Sequence, residues 1–284
     1  MAEWRLIVHG GAKEIAPDEE ADNLDGMAAA VEAGRVVLAG GGTALEAVEA
    51  AVRVMEERPV FNAGRGSDPT VRGDIEMCSA IMDGASLDVG GVMAIREVCH
   101  PISVARALLR EEPILLAGDG ATQFARDIGA ELCGTAELKT ADPGEEAHDT
   151  VGAVALDSNG NFAAATSTGG LSGQMQGRVG DSPMPGCGFY AENGVGAVAL
   201  SGHGEQIARL RLASRIMHSL DGREPDRATR EAVDQMHRVG GEAGAIAIDA
   251  QGRIGWAHNS PHFAVASIAE GDGAPGIWLR RPEH

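Results

Sequence analysis

Two consecutive runs of small apolar residues place the strongest constraint on the fold of this chain. Residues 150–157 (TVGAVALD) and 162–170 (FAAATSTGG) are joined by a short SNGN turn. Apolar runs of this length between turn residues are typical of paired strands. Their small side chains allow neighbouring layers to pack closely. We therefore predict a buried hairpin, with Thr150 at the start of its first strand.

The rest of the chain alternates between strand and helix patterns. A strand is predicted at 4–12, and a helix at 43–57 with Thr43 as its N-cap. Further strands are predicted at 75–84, 89–98, 114–117, 194–204, 243–252, 253–259 and 262–270, and further helices at 23–39, 102–111, 120–129, 205–219 and 226–239. This order predicts an α+β fold with two sheets packed together and helices outside.

Two segments have no periodicity. Residues 133–149 contain Pro, Gly and clustered acids, which indicates a linker between the halves of the chain. Residues 169–188 are rich in Gly and Pro and are predicted to form a loop.

Composition excludes some partners. The chain has 284 residues and a formal net charge of −19, which would repel nucleic acid and anionic membranes. No run approaches the ~20 apolar residues of a membrane span. The start, MAEWRLIVHGGA, has no signal-peptide pattern, so we expect a cytoplasmic protein with no membrane partner.

The four cysteines are scattered along the sequence. Cys78, Cys99, Cys133 and Cys187 include no C-x-x-C pair. We expect them to be reduced core residues, neither a disulfide framework nor a zinc site.

Thr150 is the candidate for chemistry. It follows His148 and Asp149 at the end of the predicted linker. If the Asp149–Thr150 bond is cut, Thr150 gains an α-amine with a pKa of roughly 7.7–8.0 beside its own hydroxyl. That amine can act as the base for the hydroxyl nucleophile. The alternative is a structural threonine, because β-branched residues are common at strand starts.

Several motifs decide between these alternatives. HDTVGAVALDSNGNFAAATSTGG and GRVGDSP, with IVHGGA, FNAGRGS, MDG and GHGE in order along the chain, resemble the plant-type asparaginase and isoaspartyl peptidase family of N-terminal-nucleophile hydrolases, within the glycosylasparaginase superfamily. The resemblance runs nearly from end to end. It implies a four-layer αββα sandwich, autocleaved into an α subunit (1–149) and a β subunit (150–284) that together form one structural domain. It also implies an assembly of two αβ units.

The resemblance assigns the catalytic roles by position. Thr150 matches the nucleophile, Thr168 the hydroxyl that hydrogen-bonds near it, and Asn62 the asparagine that helps to position it. Ser201 and Gly202 match the oxyanion-binding pair, where the family usually has Thr and then Gly.

The same resemblance assigns substrate binding to GRVGDSP. Arg178 can grip an α-carboxylate through charge-assisted hydrogen bonds, and Asp181 can hold an α-ammonium group. Together with Gly202, they are predicted to bind the free amino-acid end of a small-molecule substrate.

The family also implies a structural sodium ion. Residues 55–65 resemble a loop that holds sodium through backbone carbonyls, a ligand type suited to hard cations. The matching residues are Met55, Glu56, Arg58, Phe61, Ala63 and Arg65. No other cofactor is expected.

The predicted activity is hydrolysis of β-aspartyl bonds, in isoaspartyl dipeptides or in L-asparagine. Two alternatives stay open: N4-(β-N-acetylglucosaminyl)-L-asparaginase, and an unprocessed homologue that only binds amino acids. His148-Asp149 is similar to glycosylasparaginases, whereas GHGEQIARLRLA is closer to the isoaspartyl peptidase branch. An Asp149 carboxylate beside the scissile bond would help to deprotonate Thr150 during self-cleavage.

Overall fold

The computed structural model describes residues 2–139 and 150–282. His148 and Asp149 lie outside these ranges. The strands are β1 (Arg5–His9), β2 (Met77–Asp83), β3 (Val89–Ile95), β4 (Leu115–Ala117), β5 (Val151–Leu156), β6 (Phe162–Thr168), β7 (Phe189–Glu192), β8 (Gly196–Gly202), β9 (Ala243–Asp249), β10 (Ile254–His258), β11 (Val265–Ala269) and β12 (Gly276–Trp278). The helices are α1 (Glu20–Ala39), α2 (Ala44–Glu56), α3 (Pro101–Leu108), α4 (Gly118–Asp127), α5 (Thr135–Leu138), α6 (Gly204–Leu210), α7 (Leu212–Leu220) and α8 (Pro225–Val233).

The strands form two sheets, as the sequence predicts. In the described residues, an eight-stranded sheet has the order β12-β11-β1-β5-β6-β2-β3-β4, and a four-stranded sheet has the order β10-β9-β8-β7. The hairpin is confirmed, because β5 and β6 pair antiparallel with Val151 opposite Ser167. On its other side β5 pairs with β1, so Thr150 enters the middle of the larger sheet. The mixed α+β class is also confirmed.

Three apolar clusters hold the elements together. The largest packs α1 to α4 against the larger sheet, and includes Leu6, Val48 and Ile102. The second lies between the two sheets and includes Val154 and Ile246. The third packs α6 to α8 against the smaller sheet. Sheet surfaces made of small residues allow this layering, since close-packed interiors leave little free volume.

Local signals explain some boundaries. Thr43 caps α2, because its hydroxyl accepts the Glu46 N–H at 3.2 Å while the Glu46 carboxylate accepts the Thr43 N–H at 2.8 Å. The single helix predicted at 205–219 is wrong. Arg211 adopts a left-handed conformation (φ 52°) and divides it into α6 and α7. The second half of the helix predicted at 226–239 is a 3₁₀ turn, Asp234–Arg238.

The cysteine prediction is wrong for two of the four residues. Cys99 and Cys133 form a disulfide, whereas Cys78 and Cys187 are free thiols. Cys133 also lies in the predicted linker, so the first part of that linker is structured. Its backbone N–H donates to Glu97 O at 3.1 Å, and α5 follows directly. The disulfide therefore anchors Cys133, just before α5, to the backbone around Cys99.

Reduction of this disulfide should destabilise the protein. It closes a loop of 34 residues, which corresponds to about 2–4 kcal/mol of unfolding free energy. We expect Cys133→Ser, or wild type under a non-thiol reductant, to lose about that amount in urea unfolding. Cys187→Ser is the matched control, and its unfolding free energy should equal that of wild type. Equal stability of Cys133→Ser and wild type under oxidising conditions would contradict the prediction.

Candidate active site

A polar cleft opens at the start of β5. Its empty volume is about 210 Å³. It is lined by Thr150, Thr168, Gly170, Leu171, Arg178, Asp181, Ser182, Gly202 and Gly204. Residues from the ends of β6 and β8 and from the 169–188 loop therefore converge on Thr150. Of the residues predicted to be catalytic, Asn62 and Ser201 are not part of the lining, but each hydrogen-bonds to a lining residue, Gly170 and Thr150 respectively.

Two serine hydroxyls hold the backbone nitrogen and the side-chain hydroxyl of Thr150. Only 5% of its surface is exposed. Its backbone N–H donates to Ser201 Oγ at 3.2 Å, and its Oγ1 lies 2.8 Å from Ser182 Oγ. The atoms needed for an N-terminal nucleophile, nitrogen and hydroxyl, are thus each fixed by one serine.

Ser201 has a further backbone partner. Its Oγ accepts the Ala12 N–H at 3.0 Å as well as the Thr150 N–H. A hydroxyl has two acceptor lone pairs and one donor hydrogen. Since both lone pairs are used, the hydrogen is the part left for donation to a negatively charged oxygen.

Gly202 is required by space as well as by conformation. Its φ is 135°, and a β-carbon there would lie 2.3 Å from Glu242 O. Glycine therefore lets the backbone at the end of β8 reach the cleft.

Asn62 supports the turn after Thr168. Its Nδ2 donates to Gly170 O at 2.7 Å, its Oδ1 accepts the Asp68 N–H at 3.2 Å, and its carbonyl accepts the Gly169 N–H at 2.8 Å. The Gly170 N–H in turn donates to Thr168 Oγ1 at 3.0 Å. Asn62 is thus joined to the turn that carries Thr168.

Arg178 and Asp181 both line the cleft. Asp181 is 3% exposed, and its Oδ2 has no hydrogen-bond partner among the described residues. Burial raises the pKa of Asp181 to about 7, although the positive charge of Arg178 opposes this rise. Arg178 makes a two-bonded ion pair with Glu205, with both N–O distances at 2.9 Å.

Two polar side chains at the site were not predicted from the sequence, and neither were the lining residues Gly170, Leu171 and Gly204. Ser182 and Glu205 both stand inside motifs already singled out, GRVGDSP and GHGE. Each directly follows a cleft residue in the sequence. The signal was their proximity to Asp181 and Gly204, and their contacts could only be found from the fold.

In the predicted sodium loop, the carbonyls of Glu56 and Phe61 lie close to Gly64 and Gly66. A β-carbon on Gly64 would lie 2.3 Å from Glu56 O, and one on Gly66 would lie 1.9 Å from Phe61 O. The Glu56 side chain is used elsewhere: it accepts the Ile102 N–H at 3.0 Å and the Ser167 hydroxyl at 2.6 Å. Within residues 2–139 and 150–282, no group of three or more His, Cys, Asp or Glu could hold a metal ion. Backbone oxygens thus remain the ligand type to consider.

The site contains a buried threonine that contacts two serines, with an arginine and an aspartate in the same cleft. This set of residues on a two-sheet α+β fold points to a hydrolase, and sequence comparisons agree. The model of the asparaginase family matches residues 2–142 and 133–275. This chain belongs to the asparaginase family.

Curated relatives match over most of the chain. The isoaspartyl peptidase/L-asparaginase of Xenopus laevis is 42% identical over 266 residues, which cover 87% of this chain and 86% of the relative. The protein of the same name from Homo sapiens is 39% identical over 284 residues, 92% of each. That from Danio rerio is 37% identical over 286 residues, 94% of this chain and 92% of the relative. Among the described helices, none has the length and apolar character to cross a membrane.

Asp181 should make stability depend on pH. Its folded pKa of about 7 exceeds the ordinary aspartate value of 3.8, so the folded state binds more protons between these values. The Asp181 contribution therefore makes the unfolding free energy fall by about 1.4 kcal/mol per unit as pH rises from about 4 to about 7. Asp181→Asn should remove this part of the slope in urea unfolding at pH 5 and pH 8. Asp88→Asn, at an exposed carboxylate, is the control. An unchanged slope in Asp181→Asn would contradict the assignment.

Proposed function

We propose that the chain is an autoprocessing threonine amidohydrolase that cleaves β-aspartyl bonds, in isoaspartyl dipeptides and in L-asparagine. The observation that carries the proposal is that Thr150, Arg178 and Asp181 line the same cleft. The names of the relatives support this substrate class. The proposed fold is the αββα sandwich of N-terminal-nucleophile hydrolases, and the three apolar clusters support it.

Activation begins with cleavage before Thr150. The hydroxyl attacks the carbonyl carbon of residue 149, the peptide C–N bond breaks, and the acyl group moves to Oγ1 as an ester. Water then hydrolyses this ester and leaves a free α-amine on Thr150. Ser182 would orient the hydroxyl, since the two oxygens are 2.8 Å apart. Asp149 is the proposed aid to deprotonation. The products are an α subunit of residues 1–149 and a β subunit of residues 150–284.

The mature amine would then act on substrate. It takes the Thr150 hydroxyl proton as Oγ1 attacks the side-chain carbonyl of the bound aspartyl unit. The Ser201 hydroxyl and the Gly202 N–H stabilise the oxyanion, a contribution typically worth about 10²–10³ in kcat for each donor. The protonated amine gives its proton to the leaving nitrogen as the amide C–N bond breaks, which frees ammonia or a peptide amine, and water then hydrolyses the acyl-enzyme. Thr168, supported by Asn62, completes the wall beside the nucleophile.

Two oppositely charged side chains would bind the two charged groups of the substrate. Arg178 binds the α-carboxylate, and Asp181 binds the α-ammonium group. A buried carboxylate oxygen without a hydrogen-bond donor is costly, and an ammonium ligand would offset that cost. This pairing fixes which carbonyl of an aspartyl unit faces Thr150.

Three further properties are proposed. The carbonyls of Met55, Glu56, Arg58, Phe61, Ala63 and Arg65 would hold a structural sodium ion, remote from the chemical step. Two αβ units would associate into a heterotetramer. The predicted compartment is the cytoplasm, which can be tested through the redox state of Cys99 and Cys133, because a reducing compartment would keep both as thiols.

Self-cleavage should be visible by intact mass. Fresh protein and protein incubated for a day should progress from one species to two, matching residues 1–149 and 150–284. Thr150→Ala should remain at full length, because it has no hydroxyl to attack. Ser172→Ala, at an exposed serine of the 169–188 loop, is the control and should be cleaved as wild type. A wild-type mass that never changes would favour the binding-only alternative.

Substrate comparison should separate the enzymatic alternatives. We expect aspartate release from β-Asp-Leu and from L-asparagine, and much slower release from GlcNAc-Asn. Arg178→Lys should reduce kcat/KM on the first two by about tenfold or more, because lysine cannot form two parallel hydrogen bonds with a carboxylate. Faster release from GlcNAc-Asn would identify a glycosylasparaginase instead.

A further inference from the structure

Glu205 is the unassigned charged residue closest to the proposed substrate clamp. It follows Gly204, a cleft residue, at the start of α6. Its two carboxylate oxygens accept hydrogen bonds from Nε and Nη2 of Arg178, each at 2.9 Å. Glu205 itself does not line the cleft. It therefore acts on a ligand through Arg178 and is a positioning residue.

The ion pair leaves Arg178 with donors to spare. A guanidinium has five N–H donors, and Glu205 takes two of them. The remaining donors can still meet a carboxylate. What Glu205 removes is net charge, because one carboxylate already balances the guanidinium before any ligand arrives.

The balance of charge around the clamp is negative when Asp181 is ionised, that is, above its pKa of about 7. Arg178 carries one positive charge, whereas Glu205 and ionised Asp181 carry two negative charges. A third acid, Glu76, accepts the N–H of Gly177, the residue before Arg178, at 2.6 Å. The negative charge of Glu205 also contributes to the raised pKa of Asp181. A ligand with only a carboxylate meets repulsion here, whereas a zwitterion supplies the missing positive charge.

We propose that Glu205 makes the cleft selective for ligands that carry an α-ammonium group beside the α-carboxylate. This inference rests on the proposed function and refines its substrate class. Without Glu205, one fewer negative charge would face the ligand beside Arg178, and a dicarboxylate lacking the ammonium group would bind better. Selectivity for amino acids over their deamino analogues thus depends on a residue behind the clamp as well as on Asp181.

The test uses L-aspartate and succinate, which differ by the α-ammonium group. Calorimetry on the processed protein gives a Kd for each ligand with wild type and with Glu205→Gln. The glutamine has nearly the same shape and no charge. We expect the Kd of succinate to fall roughly three- to tenfold, as for one unit charge removed near a partly solvated site, while that of L-aspartate changes less than about twofold.

The matched control is Glu32→Gln. Glu32 makes the same kind of two-bonded pair with Arg35, at 2.6 and 2.7 Å, on α1. Its removal should leave both Kd values unchanged. Glu205→Asp keeps the charge and should keep the wild-type ratio of the two Kd values. Glu205→Ala is a second neutral variant, for use if Glu205→Gln folds poorly, as judged by thermal melting.

The outcomes are distinct. An unchanged Kd ratio in folded neutral variants would overturn the inference. So would an equal loss of affinity for both ligands, which would mean that Glu205 only holds Arg178 in place. If wild type fails to bind L-aspartate at all, the proposed function fails first.

Discussion

The hydroxyl of Ser201 joins the two sheets at the point where the proposed chemistry takes place. Ser201 belongs to β8 of the smaller sheet, whereas Ala12 and Thr150 lie at the ends of β1 and β5 in the larger one. Its Oγ accepts both of their backbone N–H groups, at 3.0 and 3.2 Å. Buried N–H groups without acceptors would be costly, so this hydroxyl fixes the separation of the sheets here. The position of Thr150 relative to Gly202 follows from the same contact.

Much of this arrangement could be predicted from the sequence. The hairpin carrying Thr150 and Thr168 has an apolar pattern that is typical of paired, buried strands. Thr43 and Glu46 form a capping box, which marks the start of α2 in the sequence. Short edge strands carry much weaker signals. β7 has four residues and β12 has three, and neither was predicted, whereas the three-residue edge strand β4 was predicted from its apolar run ILLA.

The remaining differences come from tertiary contacts that local patterns do not encode. The Cys99–Cys133 disulfide joins cysteines 34 positions apart. They meet because the backbone around Val98 pairs with that around Leu132. Likewise, Ser182 touches Thr150 only because the 169–188 loop folds back over the start of β5. The predicted cleft residues converge because each lies at one end of a strand or in that loop. Asn62 and Ser201 hydrogen-bond to two of the lining residues, Gly170 and Thr150.

Two buried acids, Glu56 and Asp181, differ in where the fold places them. Glu56 is fully buried, and burial raises its pKa, but Ile102 N–H and Ser167 Oγ donate to one of its oxygens and His100 Nδ1 lies 3.4 Å from the other. These contacts tie α2 to the strand that ends in Thr168. Asp181 is almost as buried, and in the described part of the chain its Oδ2 lacks a hydrogen bond, as does Oε2 of Glu56. Asp181 lines the cleft and Glu56 does not, so a ligand that donates to the unpaired oxygen could reach Asp181 alone, and the proposed function therefore gives the binding role to Asp181.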